Sequence, residues 1–395
     1  MSCRGIGTRR GIRIAVGVWA MAALPLLAGR DKEPEPELDV PYVPTHRQAV
    51  NEMLKLAKVT SDDFVIDLGC GDGRIVIAAA RDYKARALGI DLDPRRIRES
   101  NRNAKKAKVT DMVEFRKGDA LQTDVRQASV VTLFLLESVN VRLRPRLFAQ
   151  LKPGTRVVSN SFNMRDWKPD KQISHPKAFS NVIYFWAIPA HVGGTWTWQN
   201  KLTGKQIPDS LKLEQEFQAV QGAVKSSDGA EVPIAEASLA GKELSFTVTL
   251  GKGKEKAVVA YSGTADGETL QGTQEWRGGP HAGKYPWVAK RKAVDITGRW
   301  QVRAPSHADC NGTLRIQREA DGLTAAYIRD GESKKEQALS GFYVWGSSIR
   351  FEIPGGGSPL AFRGSLGPDG GGGSVSREES ENRTTWAAKR LAAGG

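Results

Sequence analysis

The sequence predicts a doubly wound α/β domain followed by two β-rich repeats, and three observations carry that prediction. From about Asp39 to Ala190, short apolar runs alternate with helical periodicities. Beyond His191 the helical patterns nearly vanish and glycine-punctuated, β-alternating segments replace them. Finally, two stretches of this second half match one another along their length. Strand–helix alternation argues for a mostly parallel sheet covered on both faces, and a fixed-period match argues for duplication.

The α/β part reads element by element. Thr45 and Gln48 form a capping-box pattern ahead of an apolar stripe of Val50, Met53, Leu54 and Ala57. FVIDLG (64–69) is a buried strand, followed by a glycine turn and the helix RIVIAAARDY. RALGIDLD (86–93) is a second strand, after which Asp93 caps a helix with Pro94 in its first position. MVEFRKGDA and SVVTLFLL supply strands three and four, and LKPGTRVVSNSF is a helix end, a turn and strand five. KQISH and NVIYFWAIP close the domain as an antiparallel pair.

In the second half, Gly194-Thr195-Trp196 opens a unit that ends at Trp287 to Arg291, and Gly298-Arg299-Trp300 opens another that ends at Trp386 to Arg390. Between these bounds LKLEQ (211–215) matches LRIQ (314–317), LSFTV (244–248) matches IRFEI (349–353), and YSG (261–263) matches FRG (362–364). Several short strands per copy predict a small barrel or sandwich, with Trp196, Trp287, Trp300 and Trp386 in the core. The expected boundaries are a signal-like or anchor segment at 1–30, an acidic proline-rich linker at 31–38, the α/β domain at 39–190, and repeats at 193–292 and 295–391.

With 40% apolar and 26% charged residues, the 395-residue chain is neither disordered nor fibrous. Its net charge of +14 predicts attraction to anionic surfaces. Three cysteines without framework or zinc spacing exclude a disulfide scaffold, and the five histidines show no metal-ligand spacing, so no metal is expected. At the N-terminus, Arg4, Arg9, Arg10 and Arg13 precede an apolar run from Ile14 to Ala28. That run suits a signal-peptide core or an uncleaved anchor, and a misplaced start codon gives the same pattern.

The chemistry concentrates in DLGCGDG. Asp67 closes a strand, and Gly69, Gly71 and Gly73 form the turn into a helix, where the backbone can approach a ligand that side chains would push away. The helix N-terminus offers N–H groups to a carboxylate or phosphate. The pattern is G-x-G-x-G rather than the dinucleotide G-x-G-x-x-G. Asp67 can accept from an ammonium group, Asp91 at the end of strand two can grip both hydroxyls of a ribose, and Asp119 after strand three can take an adenine amino group. Cys70, Leu92 and Ala120 adjoin these positions and complete the expected cofactor site. Amino acid, ribose and adenine together describe S-adenosylmethionine.

This region resembles the class I, seven-strand S-adenosylmethionine-dependent methyltransferases, whose fold is Rossmann-like. Within them, DVPYVPT, VIDLGCGDGRIVIAAA, GIDLDP, VEFRKGD, VVTLFLL, LKPGTRVVSNSF and the following DW resemble the archaeal, bacterial and mitochondrial lysine methyltransferases. The mitochondrial members of that family modify the ATP synthase c-subunit and the adenine nucleotide translocase. The resemblance covers Asp39 to Asp170. It implies cofactor contacts from Asp67, Gly69, Gly71, Asp91 and Asp119, and it implies that Pro41 to Thr45 line the site near the transferable methyl group.

Methyl transfer from a sulfonium is an in-line displacement, so the protein's task is alignment and exclusion of water. A lysine amine must first lose its proton, which a desolvated, aromatic-walled channel favours. Tyr42, Thr45 and Asn163 are the candidates on the substrate side, with Phe162 and Trp167 as further aromatics that core packing explains equally well. LFLLES stands where amino-methylating nucleic-acid enzymes carry Asn/Asp-Pro-Pro-Tyr, so no specific nucleic-acid substrate is expected. The helix after Pro94 carries Arg95, Arg96, Arg98, Arg102, Lys105, Lys106 and Lys108, a solvated face or a dock for anionic lipid. The expected partner is a protein offering a lysine. Two other readings are a small-molecule or lipid methyltransferase with a ligand-binding β domain, and an exported binding protein with a vestigial fold. The cofactor argues for a cytoplasmic or membrane-associated chain, and the N-terminal segment for an anchored or exported one.

Overall fold

In a computed structural model, the described residues run from 41 to 392, except 177–181, 200–207, 226–228, 230, 252–255, 292–294, 320–321, 333–335, 346–347, 356, 368–369 and 378–382. The signal-like segment and the acidic linker lie outside them. Among the described residues no helix is long and apolar enough to cross a membrane.

The first sheet has seven strands: β1 (Phe64–Leu68), β2 (Arg86–Asp91), β3 (Val113–Lys117), β4 (Val130–Leu133), β5 (Arg156–Asn160), β6 (Lys171–Ser174) and β7 (Val182–Ala187). Their order is β3-β2-β1-β4-β5-β7-β6. The first five strands pair in parallel, while β7 runs antiparallel to both β5 and β6. The predicted antiparallel closing pair is therefore present, with β7 inserted beside β5. The strand order reverses between β1 and β4, and a ligand site in such sheets lies beyond the carboxyl ends of those strands.

Alternation along each strand feeds two cores, because successive side chains point to opposite faces. Val65, Ala87, Val130 and Val158 face α1 (Arg47–Leu56), α2 (Arg74–Tyr83) and α3 (Pro94–Ala107). Ile66, Leu88, Val131 and Val157 face the other way, toward Leu143, Leu147 and Phe148 of α4 (Glu137–Gln150). Helix α2 has the bounds the sequence predicted, and Asp93 caps α3 by accepting from the Arg95 N–H at 2.8 Å, with Pro94 leading. The cap of α1 differs from expectation. His46, not Thr45, is the N-cap, its Nδ1 accepting from the Gln48 N–H at 3.2 Å. Thr45 is committed elsewhere, its carbonyl receiving the Arg74 guanidinium at 2.6 Å.

The second half forms two nine-stranded antiparallel sheets. The first comprises β8 (Gly194–Gln199), β9 (Pro208–Glu216), β10 (Ala219–Lys225), β11 (Glu231–Pro233), β12 (Ala235–Ala240), β13 (Glu243–Leu250), β14 (Ala257–Asp266), β15 (Thr269–Arg277) and β16 (Gly283–Arg291). The second comprises β17 (Gly298–Arg303), β18 (Gly312–Glu319), β19 (Gly322–Arg329), β20 (Gln337–Ala338), β21 (Ser340–Trp345), β22 (Ser348–Gly355), β23 (Gly357–Leu366), β24 (Gly370–Arg377) and β25 (Thr384–Arg390), with a short 3-10 helix at Pro305–Cys310. Their strand orders are identical: β11-β10-β9-β8-β16-β15-β14-β13-β12 in one and β20-β19-β18-β17-β25-β24-β23-β22-β21 in the other. Each sheet curls until β12 lies against β10 and β21 against β19, which makes a nearly closed barrel. Trp196, Trp287, Trp300 and Trp386 are all buried in these barrels.

Candidate active site

The cavity at the strand switch point begins with β1. Asp67 is 2% exposed and accepts from the Thr132 hydroxyl of β4 at 2.7 Å. Burial pushes its carboxyl up to about 7, and the neighbouring charges that act on it, Asp91 and Asp72, are negative and push the same way. A buried carboxylate surrounded by like charge is a ready partner for an incoming cation. Thr132 was not anticipated. Its signal was a single hydroxyl inside the otherwise apolar run VVTLFLL.

The turn after β1 depends on glycine. Gly69, Gly71 and Gly73 have φ of +81°, +54° and +80°. A Cβ on Gly71 would stand 2.5 Å from the Tyr42 ring, and one on Gly73 would stand 2.6 Å from Ser100 Cβ. Non-glycine residues would therefore be strained in the backbone and blocked in space. The Gly69 and Cys70 N–H groups bond the Ile90 carbonyl at 2.8 and 2.9 Å, tying the turn to β2. Asp91 closes β2, and its two oxygens accept from the Gly71 N–H at 2.8 Å and the Asp93 N–H at 2.9 Å. Burial raises its carboxyl, against the effect of those two backbone bonds. A carboxylate has about four acceptor positions, so Asp91 keeps capacity for a diol. Asp119 is exposed and accepts from the Leu121 N–H at 2.8 Å, and Asp119, Ala120 and Leu121 line the cavity together with Leu92. Burial pushes the Cys70 thiol up, with Asp67 and Asp91 adding to it, so this cysteine stays a neutral wall residue.

Pro41 to Thr45 form the other wall. Tyr42 packs its ring on Gly71 and carries the Arg96 guanidinium 4.2 Å from its ring centre. Arg74 holds Asp72 with both prongs, at 2.9 and 2.6 Å, while its third nitrogen holds the Thr45 carbonyl. The segment is thus bolted to the first turn of α2. Arg96, read from the sequence as one of a solvated charge run, instead lines the cavity. Burial raises the Tyr42 phenol, and the Asp72 charge adds to it.

Phe134, Leu135 and Val139 line the floor, and Phe134 stacks on Phe162 with centroids 6.2 Å apart. Phe162 lies in the loop after β5. Ser161 there has φ +72°, and the Phe162 N–H reaches back to the Asn160 carbonyl at 2.9 Å, a tight three-residue turn. Arg165 has φ +54°. Such residues cost about 1–3 kcal/mol each and persist only where their surroundings hold them. Asn140 of α4 does part of that, donating to the Ser159 hydroxyl at 3.2 Å and the Phe162 carbonyl at 3.1 Å. Asn163 is not among the cavity-lining residues, and its side-chain oxygen accepts from the Arg165 N–H at 2.9 Å. Trp167 is fully buried in the α4-side core. Tyr42 and Thr45 are therefore brought to the cavity, Phe162 lies one ring behind it, and Asn163 and Trp167 shape the loop.

A parallel sheet ending in an inserted antiparallel strand, with a glycine turn after β1 and carboxylates at the ends of β1 and β2, defines an S-adenosylmethionine-dependent methyltransferase. The ANTKMT methyltransferase domain model matches residues 67–171. A protein-lysine N-methyltransferase of Saccharolobus islandicus (strain REY15A) is 46% identical over 154 residues, which is 38% of this chain and 96% of that protein. The adenine nucleotide translocase lysine N-methyltransferase of Mus musculus is 31% identical over 195 residues, 49% of this chain and 82% of that protein. The crystal structure of an RNA methyltransferase from Salinibacter ruber with S-adenosyl-L-homocysteine is 49% identical, covering 38% of this chain and 96% of that one at a TM-score of 0.36. The chain belongs to the protein-lysine N-methyltransferase family, which takes its methyl group from S-adenosylmethionine. The family model's match ends at residue 171, before the repeats begin.

Proposed function

We propose that this chain methylates a lysine of a protein substrate whose side chain enters past Tyr42 and Val43. The carrying observation is the exposure of that wall. The exposed large hydrophobics among the described residues are Tyr42 at 41%, Val43 at 42% and Val288, so two of the three sit on one edge of the cavity. An open aromatic and aliphatic edge suits the four-carbon stem of a lysine, and its low polarity favours the neutral amine.

The residues present fit the methyl donor. Asp67, buried among negative charges, would hold its ammonium group; Asp91 would hold its ribose hydroxyls; Asp119 and Ala120 would border its adenine. Bound beside Gly69 and Gly71, it would supply an electrophilic methyl group; Gly73 does not line the cavity and instead lets α2 pack closely on Ser100 and Phe115. Tyr42 and Thr45 would align the amine and exclude water, with Asn163 shaping the neighbouring loop, and no strong base is needed because the deprotonated amine is itself the nucleophile.

The exposed basic face of α3, with Arg98, Arg102, Lys105 and Lys106, begins beside the cavity at Asp93 and Arg96. It supports docking on an anionic membrane surface near the substrate, which co-sedimentation with phosphatidylglycerol vesicles should detect at low but not high salt.

Methyl-labelled S-adenosylmethionine, incubated with the full chain and a lysate of its host, should label material that protease destroys and ribonuclease spares. Mapped label should fall on lysine. Label lost to ribonuclease, or recovered only in lipid, would overturn this reading.

A further inference from the structure

The loop after β5 is gripped from two sides by the repeats. Repeat 1 reaches it through the turn between β9 and β10. Phe217, at the tip of that two-residue hairpin, has φ +56°, an outlying backbone for a bulky residue, and is nevertheless 4% exposed. It packs in the core of the methyltransferase domain, 5.6 Å from the Phe148 ring and 6.2 Å from Trp167. Gln218 beside it accepts from the Trp167 indole N–H at 2.9 Å and donates to the Lys168 carbonyl at 2.6 Å.

Repeat 2 reaches the adjacent residue by charge. Arg350 of β22 and Arg363 of β23 stand directly opposite one another across the two strands. Like charges so placed repel, so the pair needs a counter-ion. Asp166 supplies one: Arg363 donates to Oδ2 at 2.8 Å, and Arg350 lies 3.9 Å from the same oxygen, while Glu352 lies 3.4 Å from Arg350 and Glu216 3.9 Å from Arg363. Arg144 of α4 pairs with the other oxygen and donates to the Met164 carbonyl at 3.0 Å. Burial alone would raise the Asp166 carboxyl, but Arg144, then Arg350 and Arg363, hold it below the usual carboxylate range. In repeat 1 the matching positions are Ser245 and Ser262, also directly opposite one another. The two arginines are thus a feature that one copy has and the other lacks, at the place where it meets the loop.

We propose that the repeats act as a clamp that positions the substrate-side loop. Phe217 and Gln218 seat Trp167 from one side, Arg350 and Arg363 fix Asp166 from the other, and Phe162 is thereby held against Phe134 on the cavity floor. The strained turn at Ser161 and the left-handed Arg165 are the kind of backbone that persists only when such contacts over-determine it. Arg363 and Gln218 are positioning residues; neither lines the cavity. The substrate-side role of the loop rests on the function proposed above, while the clamp itself does not.

The test is backbone hydrogen exchange of residues 161–168 in the full chain, compared with residues 64–73 of β1 and the glycine turn. Exchange at 161–168 should rise about tenfold in Arg363→Ala and further in Arg363→Ala/Gln218→Ala, with Arg363→Lys between wild type and Arg363→Ala. Exchange at 64–73 and calorimetric S-adenosylmethionine affinity should stay within about twofold of wild type. Loop exchange unchanged in the double variant would overturn the clamp. So would a rise shared by 64–73 with cofactor affinity lost, since the repeats would then only stabilise the whole domain. If loop exchange responds as expected but the wild-type chain labels no protein, the lysine reading falls and the clamp stands.

Discussion

Repeats 1 and 2 share one interior and differ on the outside. In repeat 1, Phe246 stacks on Tyr261 at 4.8 Å and Trp287 meets Phe246 edge-on at 5.9 Å; in repeat 2, Phe351 stacks on Phe362 at 4.7 Å and Trp386 meets Phe351 edge-on at 5.6 Å. The opening tryptophans match as well. The Trp196 indole donates to the Val192 carbonyl at 2.7 Å and lies under Arg291, while Trp300 donates to the Ile296 carbonyl at 2.9 Å and lies under Arg390. Outside, one copy presents an aromatic hairpin tip and the other a pair of arginines, and both meet the loop after β5. A duplicated core preserves the barrel, and the free outer positions let each copy acquire its own contact.

The comparison predicts equal damage inside and unequal damage outside. Trp287→Ala and Trp386→Ala should each cost about 3–5 kcal/mol, because each removes a buried indole from the equivalent aromatic cluster of its own barrel, with Trp386 also losing its bond to the Arg363 carbonyl. Urea unfolding followed by tryptophan fluorescence would check this, and a difference above about 2 kcal/mol would break the claim of a shared core.

Phe217→Ala should come next, at about 2–4 kcal/mol, since the ring belongs to the methyltransferase core rather than to its own barrel. The diagnostic result is where it acts: near-ultraviolet circular dichroism should report loosening around Trp167 and Trp186, with the repeat 1 core intact.

Much of the molecule is legible in its sequence. Asp67 and Asp91 stand out as charges closing apolar runs, and the bounds of α2 follow from the glycine turn before it. The duplication is visible because its tryptophans recur at matching places in each copy. The clamp is not legible. Asp166 and Arg363 are 197 residues apart, and neither breaks a local pattern. Arg144 carries no mark of burial in the sequence, yet it is 2% exposed. Long-range pairs of this sort leave no periodicity, and the one-residue shift of the α1 cap from Thr45 to His46 accompanies another, the bond from Arg74 to the Thr45 carbonyl.

Exchanging the outer residues sharpens the contrast at smaller scale. Arg363→Ser, which gives repeat 2 the residue of repeat 1, should cost about 1–2 kcal/mol, a charged hydrogen bond discounted for the partial exposure of Asp166. Ser262→Arg, on the exposed side of repeat 1, should change stability by no more than about 0.5 kcal/mol. Chemical denaturation of both variants would decide it, and equal effects would remove the asymmetry.

A pH dependence tests the same ion pair. Because the Asp166 carboxyl lies below its ordinary value of 3.8 in the folded protein, its contribution is fully present above about pH 4 and fades as pH falls through the folded value. The stability gap between wild type and Asp166→Asn should therefore be constant from pH 5 to 7, about 1–2 kcal/mol, and shrink below about pH 4. A gap that grows on acidification would contradict the pairing.

Methyl transfer by this chain requires that the glycine turn and its carboxylates bind S-adenosylmethionine, and one titration tests that most directly. Calorimetry at pH 8, where Asp67 with its carboxyl near 7 is ionised, should show binding by the full chain and none by Asp67→Ala or Asp91→Ala. Wild-type affinity should also rise about tenfold from pH 6 to pH 8 as Asp67 ionises to meet the ammonium group. Unchanged affinity in both variants would contradict the account.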